Sequence, residues 1–526
     1  MNRPSGVIVG LAALLVVAGG ARADDTHYRA LPIGAHSIGL GGAFTGVADD
    51  ASAAYFNPAG LALGGTWGIA GGLTINAWER VDLRRIYEQP DGTATATAKQ
   101  SRTVPIFIGA VLKFGPKDAL EEKKFSLALS VLEPIFGANG IFVTLKEDPV
   151  ALTDSYRVNS SDRATWYGLS FASRLDLKQL IGASLYLSVR KLNHSETGIT
   201  LGGGTPVPGD PGGFIDVNSA ANTQSLGFKA FHFVLRFGWL YRLKPQLQIG
   251  VMVQPPGIPI KQQVDTLSQG FVNDAGDPST PTITRAYFVD GRVNANLPIP
   301  AEIEAGLEYW PAEKVMLSLD ASVHLPVRSQ RRVESAESVP LGGLYFDGDT
   351  ARRFVGNVAV GGDFFITKKV MMMTGFFTDL SSAMNVPENP LRYHNPQINR
   401  LGGTISLGLN VAGVSLSVGS TFIYGKGDST GVLVDAGNLA VEYNRTEATS
   451  RTVYLHITGA TRAASDLGDK SATGIKKRLA EKKKKEEEEA EQKEREAQEA
   501  KEAEEAGPEK PEAEETEQGE EPAEAN

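Results

Sequence analysis

The sequence predicts an all-β protein, namely a transmembrane antiparallel β-barrel of about 14 strands. Between Trp67 and Ala460, apolar and polar residues alternate with a period of two, which is typical of strands with one apolar and one polar face. This alternation also fits a soluble sandwich of two sheets. Short turns that alternate with long, polar connections distinguish the two folds, because bacterial outer-membrane barrels show this asymmetry and a sandwich does not require it.

The chain opens with a pattern typical of a secretory signal peptide, which we predict over residues 1–23. Arg3 precedes an apolar run from Val7 to Ala18, and Ala21-Arg22-Ala23 fits an A-x-A cleavage site. The run is too short to cross about 30 Å of hydrocarbon, which takes roughly 20 residues. We therefore expect any crossing of the membrane to use strands.

Residues 24–65 are predicted to form a hatch that lies in the lumen of the barrel. The stretch Pro32–Ala62 is rich in Gly and Ala and has few bulky aliphatic residues, so it cannot bury enough apolar surface to fold alone. Its small residues let the backbone approach another surface closely, and its glycines permit the positive φ angles of tight turns. The rest of the chain is expected to enclose it.

The barrel is predicted over residues 66–461. Pro298 and Pro300 lack ladder donors, so we expect a bulge or break in the strand that contains them. Short turns are predicted at 176–178, 243–245, 311–314, 367–369 and 412–413, and long connections at 134–162, 193–224, 264–281, 326–350, 379–397 and 426–449. The strands are predicted near residues 66–80, 103–114, 124–134, 163–175, 180–192, 225–241, 246–262, 283–310, 314–324, 351–365, 369–378, 398–410, 413–424 and 451–461.

Several ionisable residues occupy strand positions that should face the lumen. A charge that faces lipid costs about 2–4 kcal/mol near the midplane of the membrane, so these side chains are expected to point inward. A network that pins the hatch is one interpretation, and a gate that a passing ligand disturbs is the other. The lumen residues are His232, Arg236, Glu302, Glu304, Glu308 and Asp320.

Four short stretches stand out in the sequence, namely Gly39–Phe44, Ala48–Ala53, Tyr55–Ala62 and Asn296–Pro300. They resemble the FadL-type family of outer-membrane transporters for long-chain fatty acids and aromatic hydrocarbons. The resemblance implies a hatch in the bore of a 14-stranded barrel, with an Asn-Pro-Ala motif against the wall. The hatch and ligand residues that it singles out are Gly41, Gly42, Phe44, Asn57, Pro58 and Ala59.

The same resemblance implies a channel for passive, diffusion-driven uptake of hydrophobic compounds such as long-chain fatty acids, with no cofactor. Its partners would be hydrophobic small molecules and the lipid of the bacterial outer membrane. The connection 193–224 departs from the family, because it is poor in the large apolar residues of a surface capture site. The alternative is a barrel that serves as a scaffold for a secretion or surface-attachment system.

Other classes of function find little support in the sequence. The chain has no cysteine, which excludes disulfides and Cys-ligated metals. Its seven histidines lack the spacing of a zinc helix, and no G-x-S-x-G motif occurs, so we expect neither a metal site nor an enzyme. The body of the chain is nearly neutral, which gives no electrostatic reason to expect nucleic acid.

The composition changes abruptly after Arg462. Residues 462–526 contain 13 basic and 22 acidic residues, which accounts for −9 of the formal net charge of −10. Lys476–Ala506 has Glu–Lys and Glu–Arg pairs at helical spacing but no apolar heptad stripe. We predict a periplasmic tail that is helical in part and otherwise disordered. A periplasmic partner for this tail is the hypothesis beyond a plain solubilising role.

Overall fold

The computed structural model of the chain describes most of the N-terminal segment and the strands. The described residues are 26–29, 33–63, 67–89, 92–117, 123–147, 152–202, 205–206, 214–215, 218–274, 283–293, 297–328, 351–367, 369–390, 394, 396–411, 414–435, 440–461 and 492. The predicted signal peptide and nearly all of the predicted tail lie outside them. Thr473–Asn526 is a compact unit of its own, of which only Gln492 is described.

Eighteen described strands follow one another along the chain, and every pairing between them is antiparallel. They are β1 (Trp67–Gln89), β2 (Gly92–Lys117), β3 (Lys123–Glu147), β4 (Leu152–Arg174), β5 (Gln179–Gly202), β6 (Thr205–Pro206), β7 (Phe214–Ile215), β8 (Asn218–Lys244), β9 (Leu247–Gln254), β10 (Ile258–Asp274), β11 (Ile283–Val293), β12 (Glu302–Ala312), β13 (Val315–His324), β14 (Val355–Phe365), β15 (Val370–Asp379), β16 (Gln397–Val411), β17 (Val414–Asp435) and β18 (Ala440–Thr461).

Fourteen of these strands close into a barrel, which confirms the predicted fold class and strand number. The ring runs from β1 to β5, then through β8, β9 and β12 to β18, and β18 pairs with β1. The long strand β8 connects the ring to the strands outside it, because its last part pairs with β9 and its earlier part with β10. The hairpin of β10 and β11 extends from β8, and β6 pairs only with β7.

The strands alternate between the two faces of the wall as the sequence pattern predicts. In β13, Leu317 and Leu319 are exposed on the outer face, whereas Ser318 and Asp320 are buried on the inner face. Large exposed apolar side chains recur in this way around the barrel. An outer apolar surface with an inner polar one is what a barrel in lipid requires. Within the described part of the chain, no helix is long and apolar enough to cross a membrane.

Several predicted connections prove to be extensions of strands. The described parts of 134–162, 193–224, 264–281 and 426–449 lie largely in β3, β4, β5, β8, β10, β17 and β18. The prediction of long loops there was wrong, because a hairpin that continues beyond the apolar band keeps its ladder hydrogen bonds without an alternating pattern. The described residues of 379–397 lie outside strands except at the ends, as predicted.

Prolines interrupt the wall at two neighbouring places. The strand predicted at 246–262 is divided between β9 and β10, and Pro255-Pro256-Gly257 separates the two. The break expected from Pro298 and Pro300 is confirmed, because β11 ends at Val293 and β12 begins at Glu302. The two breaks face each other, since the Gly257 N–H donates to the Ile299 carbonyl at 3.0 Å. On the far side of these two breaks, β11 pairs with β10 alone among the described strands.

Residues 33–63, together with 26–29, form the N-terminal segment, which lies inside the ring of strands. It contains helices α1 (His36–Gly39) and α2 (Ala53–Phe56) and a 3-10 helix over Pro58–Ala62. Nearly all of its residues are buried although its helices are very short. The inner face of the barrel therefore supplies most of the surface against which this segment packs.

Candidate functional site

Glycines on the inner face of the wall leave room for the backbone of the N-terminal segment. A Cβ atom on Gly238 would overlap the side-chain oxygen of Asn57, and one on Gly250 would overlap the carbonyl of Thr45. Any other residue at these two positions would push the segment away from the wall. The inner glycines with such a close approach are Gly72, Gly182, Gly238, Gly250, Gly306, Gly361 and Gly375.

Asn57 is fully buried where the segment meets β8. Its amide nitrogen donates to the Thr45 carbonyl at 2.9 Å and to the Trp239 carbonyl at 3.1 Å. Its oxygen accepts from the Ala59 N–H at 3.2 Å and so caps the 3-10 helix that begins at Pro58. A single neutral side chain thus joins two parts of the segment to the wall.

The glycine pair of the segment serves a sharp turn of its backbone. Gly41 and Gly42 have φ angles of 65° and 84°, which disfavour residues with a side chain. The turn directs Phe44 into the core of the segment, where its ring centroid lies 5.4 Å from that of Phe56 and 5.5 Å from that of His36. Asp320 on β13 accepts hydrogen bonds from the N–H groups of Phe44 and Thr45, both at 2.7 Å.

Arg236 on β8 is the largest fully buried side chain of the described residues. Its guanidinium lies 3.9 Å from the ring centroid of Tyr55 and donates to the Tyr55 carbonyl. It also pairs with Glu302 at 2.5 Å and donates to Gln254 at 2.8 Å. Gln254 in turn donates to the Pro300 carbonyl at 2.9 Å, so one network connects the segment to the proline breaks of the wall.

Arg29 makes a second ionic contact between the segment and the wall. It pairs with Glu304 on β12 and donates to the Gly42 carbonyl at 3.2 Å. Burial lowers the pKa of the Arg29 guanidinium, but the carboxylates of Glu304 and Glu302 outweigh it, and the pKa lies above that of an ordinary arginine. The Arg29 charge is therefore retained inside the barrel.

The other two predicted lumen residues have different surroundings. Glu308 accepts from Gln248 at 3.2 Å and from the indole of Trp310 at 2.8 Å, and Gln248 also donates to the Gly46 carbonyl of the segment. His232 is buried on the inner face, but its described hydrogen bond goes to Gln262. The structure thus brings Arg236, Glu302, Glu304, Glu308 and Asp320 to the segment, whereas the described hydrogen bond of His232 goes to the wall.

Sequence reasoning missed several residues that hold the segment. His36 is enclosed by Asp49 at 2.8 Å and by Asp363 of β14 at 2.7 Å. His27 contacts Asp379 at 3.0 Å, and Lys113 donates to the Leu63 carbonyl at 2.6 Å. Inward charges on predicted strands could have indicated Lys113 and Asp363 by the same rule that selected Glu304, whereas Asp379 lay in a predicted connection. Only the fold brings their partners within reach.

The fold and the enclosed segment together define the class of this protein. It is a closed, 14-stranded β-barrel of the bacterial outer-membrane type, with part of its own N-terminal region inside the ring. The polar residues that contact this region come from strands all around the wall, so the contact surface is a ring and not a cleft.

Comparison with known proteins identifies solved structures with a similar architecture. No family model matches the chain, and no curated protein matches it. Among solved structures it is similar to a Pseudomonas aeruginosa FadL homologue, at 13% identity and a TM-score of 0.52, over 83% of this chain and 99% of that one. It is also similar to the P. putida toluene transporter TodX, at 13% identity and a TM-score of 0.53, over 82% of this chain and 98% of that one. The chain has the fold of the FadL-type channels, as its short motifs implied.

Proposed function

We propose that this protein is a channel of the bacterial outer membrane through which hydrophobic compounds diffuse down their gradient. The observation that carries the proposal is the N-terminal segment, which contacts the inner wall on many strands through hydrogen bonds and glycine contacts. A segment that fills the bore in this way excludes water-filled passage, so a solute crosses only where the segment or the wall yields. The FadL-type fold and the apolar outer face support this role.

Two routes past the segment are compatible with this function. In the first, the segment shifts and opens the bore toward the periplasm. In the second, the solute leaves sideways at the wall, where the breaks at Pro255-Pro256 and Pro298–Pro300 face each other. The Arg236–Gln254 network touches both, so we assign it the role of holding the closed state.

A disulfide tether tests whether the segment must move. The natural chain has no cysteine, so a designed pair is the only possible bridge. The Cβ of Ala51 lies 3.2 Å from the position that a Cβ on Gly109 of β2 would take. Cβ atoms of a disulfide lie about 3.5–4.5 Å apart, so A51C/G109C needs only a small adjustment, in which the Phe107 ring turns aside.

We expect oxidised A51C/G109C in lipid vesicles to admit radiolabelled toluene or oleate no faster than protein-free vesicles, and the reduced sample to recover uptake. The two single-cysteine variants are the controls, since oxidation should leave them unchanged. Uptake by the fully bridged protein would refute movement of the segment and assign passage to the wall break. Absence of uptake by the wild-type protein for both solutes would refute the channel itself.

The choice of long-chain fatty acids as solute is the finer part of the proposal, and the toluene and oleate measurements compare it with aromatic hydrocarbons. The scaffold alternative is tested by deletion of residues 462–526. A channel that works alone keeps its uptake rate in vesicles without this tail. A loss of uptake that returns when the isolated tail peptide is added would instead show that the tail acts on the barrel itself, and a loss of binding to periplasmic proteins without a loss of uptake would support the scaffold alternative.

A further inference from the structure

Three neighbouring side chains of the inner wall each bury a polar atom that has no hydrogen-bond partner among the described residues. They form the acceptor row, defined as Trp166, Ser188 and His232 and named for the hydrogen-bond acceptor that such a row of donors binds. Trp166 lies opposite Ser188 in the pairing of β4 with β5, and Ser188 lies opposite His232 in the pairing of β5 with β8. The three side chains are 3%, 0% and 0% exposed, and the unsatisfied atoms are Trp166 Nε1, Ser188 Oγ and His232 Nδ1.

Burial of these three polar atoms is unfavourable unless a bound molecule supplies their hydrogen-bond partners. A buried polar group without a partner costs about 1–3 kcal/mol, and here three of them lie side by side on one face. Structures usually avoid this arrangement, and each exception calls for an explanation. The three atoms therefore point to a molecule that the barrel receives at this place.

The hydrogen-bonding character of the row is defined by its neighbours. The amide oxygen of Gln262 accepts from the Leu297 N–H at 2.9 Å, which fixes the orientation of that amide. Its nitrogen then donates to His232 Nε2 at 3.3 Å, so the neutral ring carries its proton on Nδ1. The indole Nε1 of Trp166 is a donor only, and the Ser188 hydroxyl can donate. The row therefore consists of three groups that can donate a hydrogen bond.

The charges around the row are already neutralised. Arg190, two residues beyond Ser188 on β5, pairs through two of its nitrogens with Asp162. Arg236 pairs with Glu302. A carboxylate bound at the row would thus find no cation without a partner among the described residues, and burial of such a charge is strongly unfavourable.

The surface that borders the row is apolar except at Arg190, which lies between Ala164 and Ala230 in the pairing of β4, β5 and β8 and is paired with Asp162. Leu132 on β3 lies opposite Trp166 and is buried, and Ala164 and Ala230 occupy the next inward positions beside Trp166 and His232. The ring centroids of Tyr55 and Tyr186 lie 6.0 and 5.4 Å from that of Trp166. An apolar body with an aromatic ring fits these surroundings.

We propose that the acceptor row binds an apolar, aromatic compound through one neutral hydrogen-bond acceptor, such as the oxygen of an aromatic ketone, and that it discriminates against carboxylates. This inference rests on the proposed channel function and names the class of solute for it. The ring of the solute packs near Trp166, and its oxygen, which has two lone pairs, accepts from the neighbouring donors Trp166 and Ser188. Tyr55 of the N-terminal segment then lies beside the bound solute.

Three probes of similar size separate the possibilities: butyrophenone, which has the acceptor, butylbenzene, which lacks it, and 4-butylbenzoate, which is charged. Binding to the full-length protein in lipid vesicles is measured by equilibrium dialysis, with protein-free vesicles of the same lipid as the reference for partition. We expect the ketone to bind at least about fivefold more tightly than the hydrocarbon, which corresponds to one net hydrogen bond of about 1 kcal/mol. The carboxylate should bind most weakly.

Two conservative variants connect this preference to the row. Trp166→Phe and Ser188→Ala each remove one donor while they keep most of the shape, and each should weaken ketone binding about fivefold and leave butylbenzene binding unchanged. Ser417→Ala is the matched control, because Ser417 is also a buried inward serine but its hydroxyl is bonded to Thr458 at 2.5 Å. Heat-dependent gel mobility confirms that each variant forms a barrel.

The outcomes distinguish this inference from the function on which it rests. Equal binding of ketone and hydrocarbon, or variants that weaken both probes alike, would overturn the acceptor row and leave the hydrophobic channel intact. Tightest binding of 4-butylbenzoate would overturn the discrimination against carboxylates. No binding of any probe beyond partition into lipid would count against the channel function itself.

Discussion

Arg29 and Asn57 both hold the N-terminal segment to the barrel wall, but they do so by different physical means. Arg29 makes an ion pair with Glu304, and its side chain is 11% exposed. Asn57 is fully buried and neutral, and it makes hydrogen bonds whose other members are backbone groups. The first contact depends on a particular partner side chain, whereas the second depends on the absence of one at Gly238.

This difference predicts which changes each contact tolerates. Loss of one member of a buried ion pair leaves the other charge without compensation, whereas replacement of both members by neutral residues removes the problem. A neutral contact that depends on close backbone approach responds instead to added volume. The Arg29 contact should therefore tolerate replacement of both members better than replacement of one, and the Asn57 contact should respond most to added volume at the wall.

The largest effect is expected from Glu304→Gln. It removes the carboxylate that pairs with Arg29 and leaves Glu302 as a remaining acidic neighbour, so we expect the free energy of unfolding to fall by about 3 kcal/mol, the lower end for a broken buried pair. Urea unfolding of the protein in lipid vesicles, followed by tryptophan fluorescence, measures the loss. The control is Arg29→Gln/Glu304→Gln, which should recover most of it. If the double variant is as unstable as the single one, the pair is not the reason for the loss.

A smaller effect is expected from Gly238→Ala. The added methyl group overlaps Asn57 and Ala59, so the segment must shift, at a cost of about 1–3 kcal/mol. The matched control is Gly227→Ala on the same strand, where the nearest atom to the new Cβ lies 3.6 Å away. Unfolding in urea measures the cost, and limited proteolysis reports whether the segment has loosened. Equal stability of the two variants would contradict the role of the close approach at Gly238.

The sequence could predict the ring of strands because each strand carries its own evidence. The alternation through Leu317 to Asp320 is a local pattern, and it needs no knowledge of the neighbouring strand. The inward direction of Glu304 follows from the same pattern, because lipid does not tolerate the charge. The ends of the strands were harder to predict, because hairpins such as β17 and β18 continue beyond the region where alternation is required.

The partners within the site could not be predicted in this way. Glu304 and Arg29 are 275 residues apart in sequence, and Asp363 and His36 are 327 apart, so closure of the ring alone brings them together. The acceptor row has the same origin. Trp166 and His232 appear unrelated in the sequence, and their common row results from the register of β4, β5 and β8.

The smallest effect is expected from Ser184→Ala, which removes a neutral contact between the wall and the segment, of the kind that Asn57 makes. The Ser184 hydroxyl of β5 donates to the Ala54 carbonyl of the segment at 2.7 Å and lies at the same distance from Ser170. Its loss should cost about 0.5–1.5 kcal/mol, the net contribution of one hydrogen bond. Ser170→Ala is the control, because it leaves the bond to Ala54 in place and should cost less. If the two serine variants lose the same stability, the bond between β5 and the segment contributes nothing, and the neutral contact would then rest on Asn57 and on the space at the wall glycines.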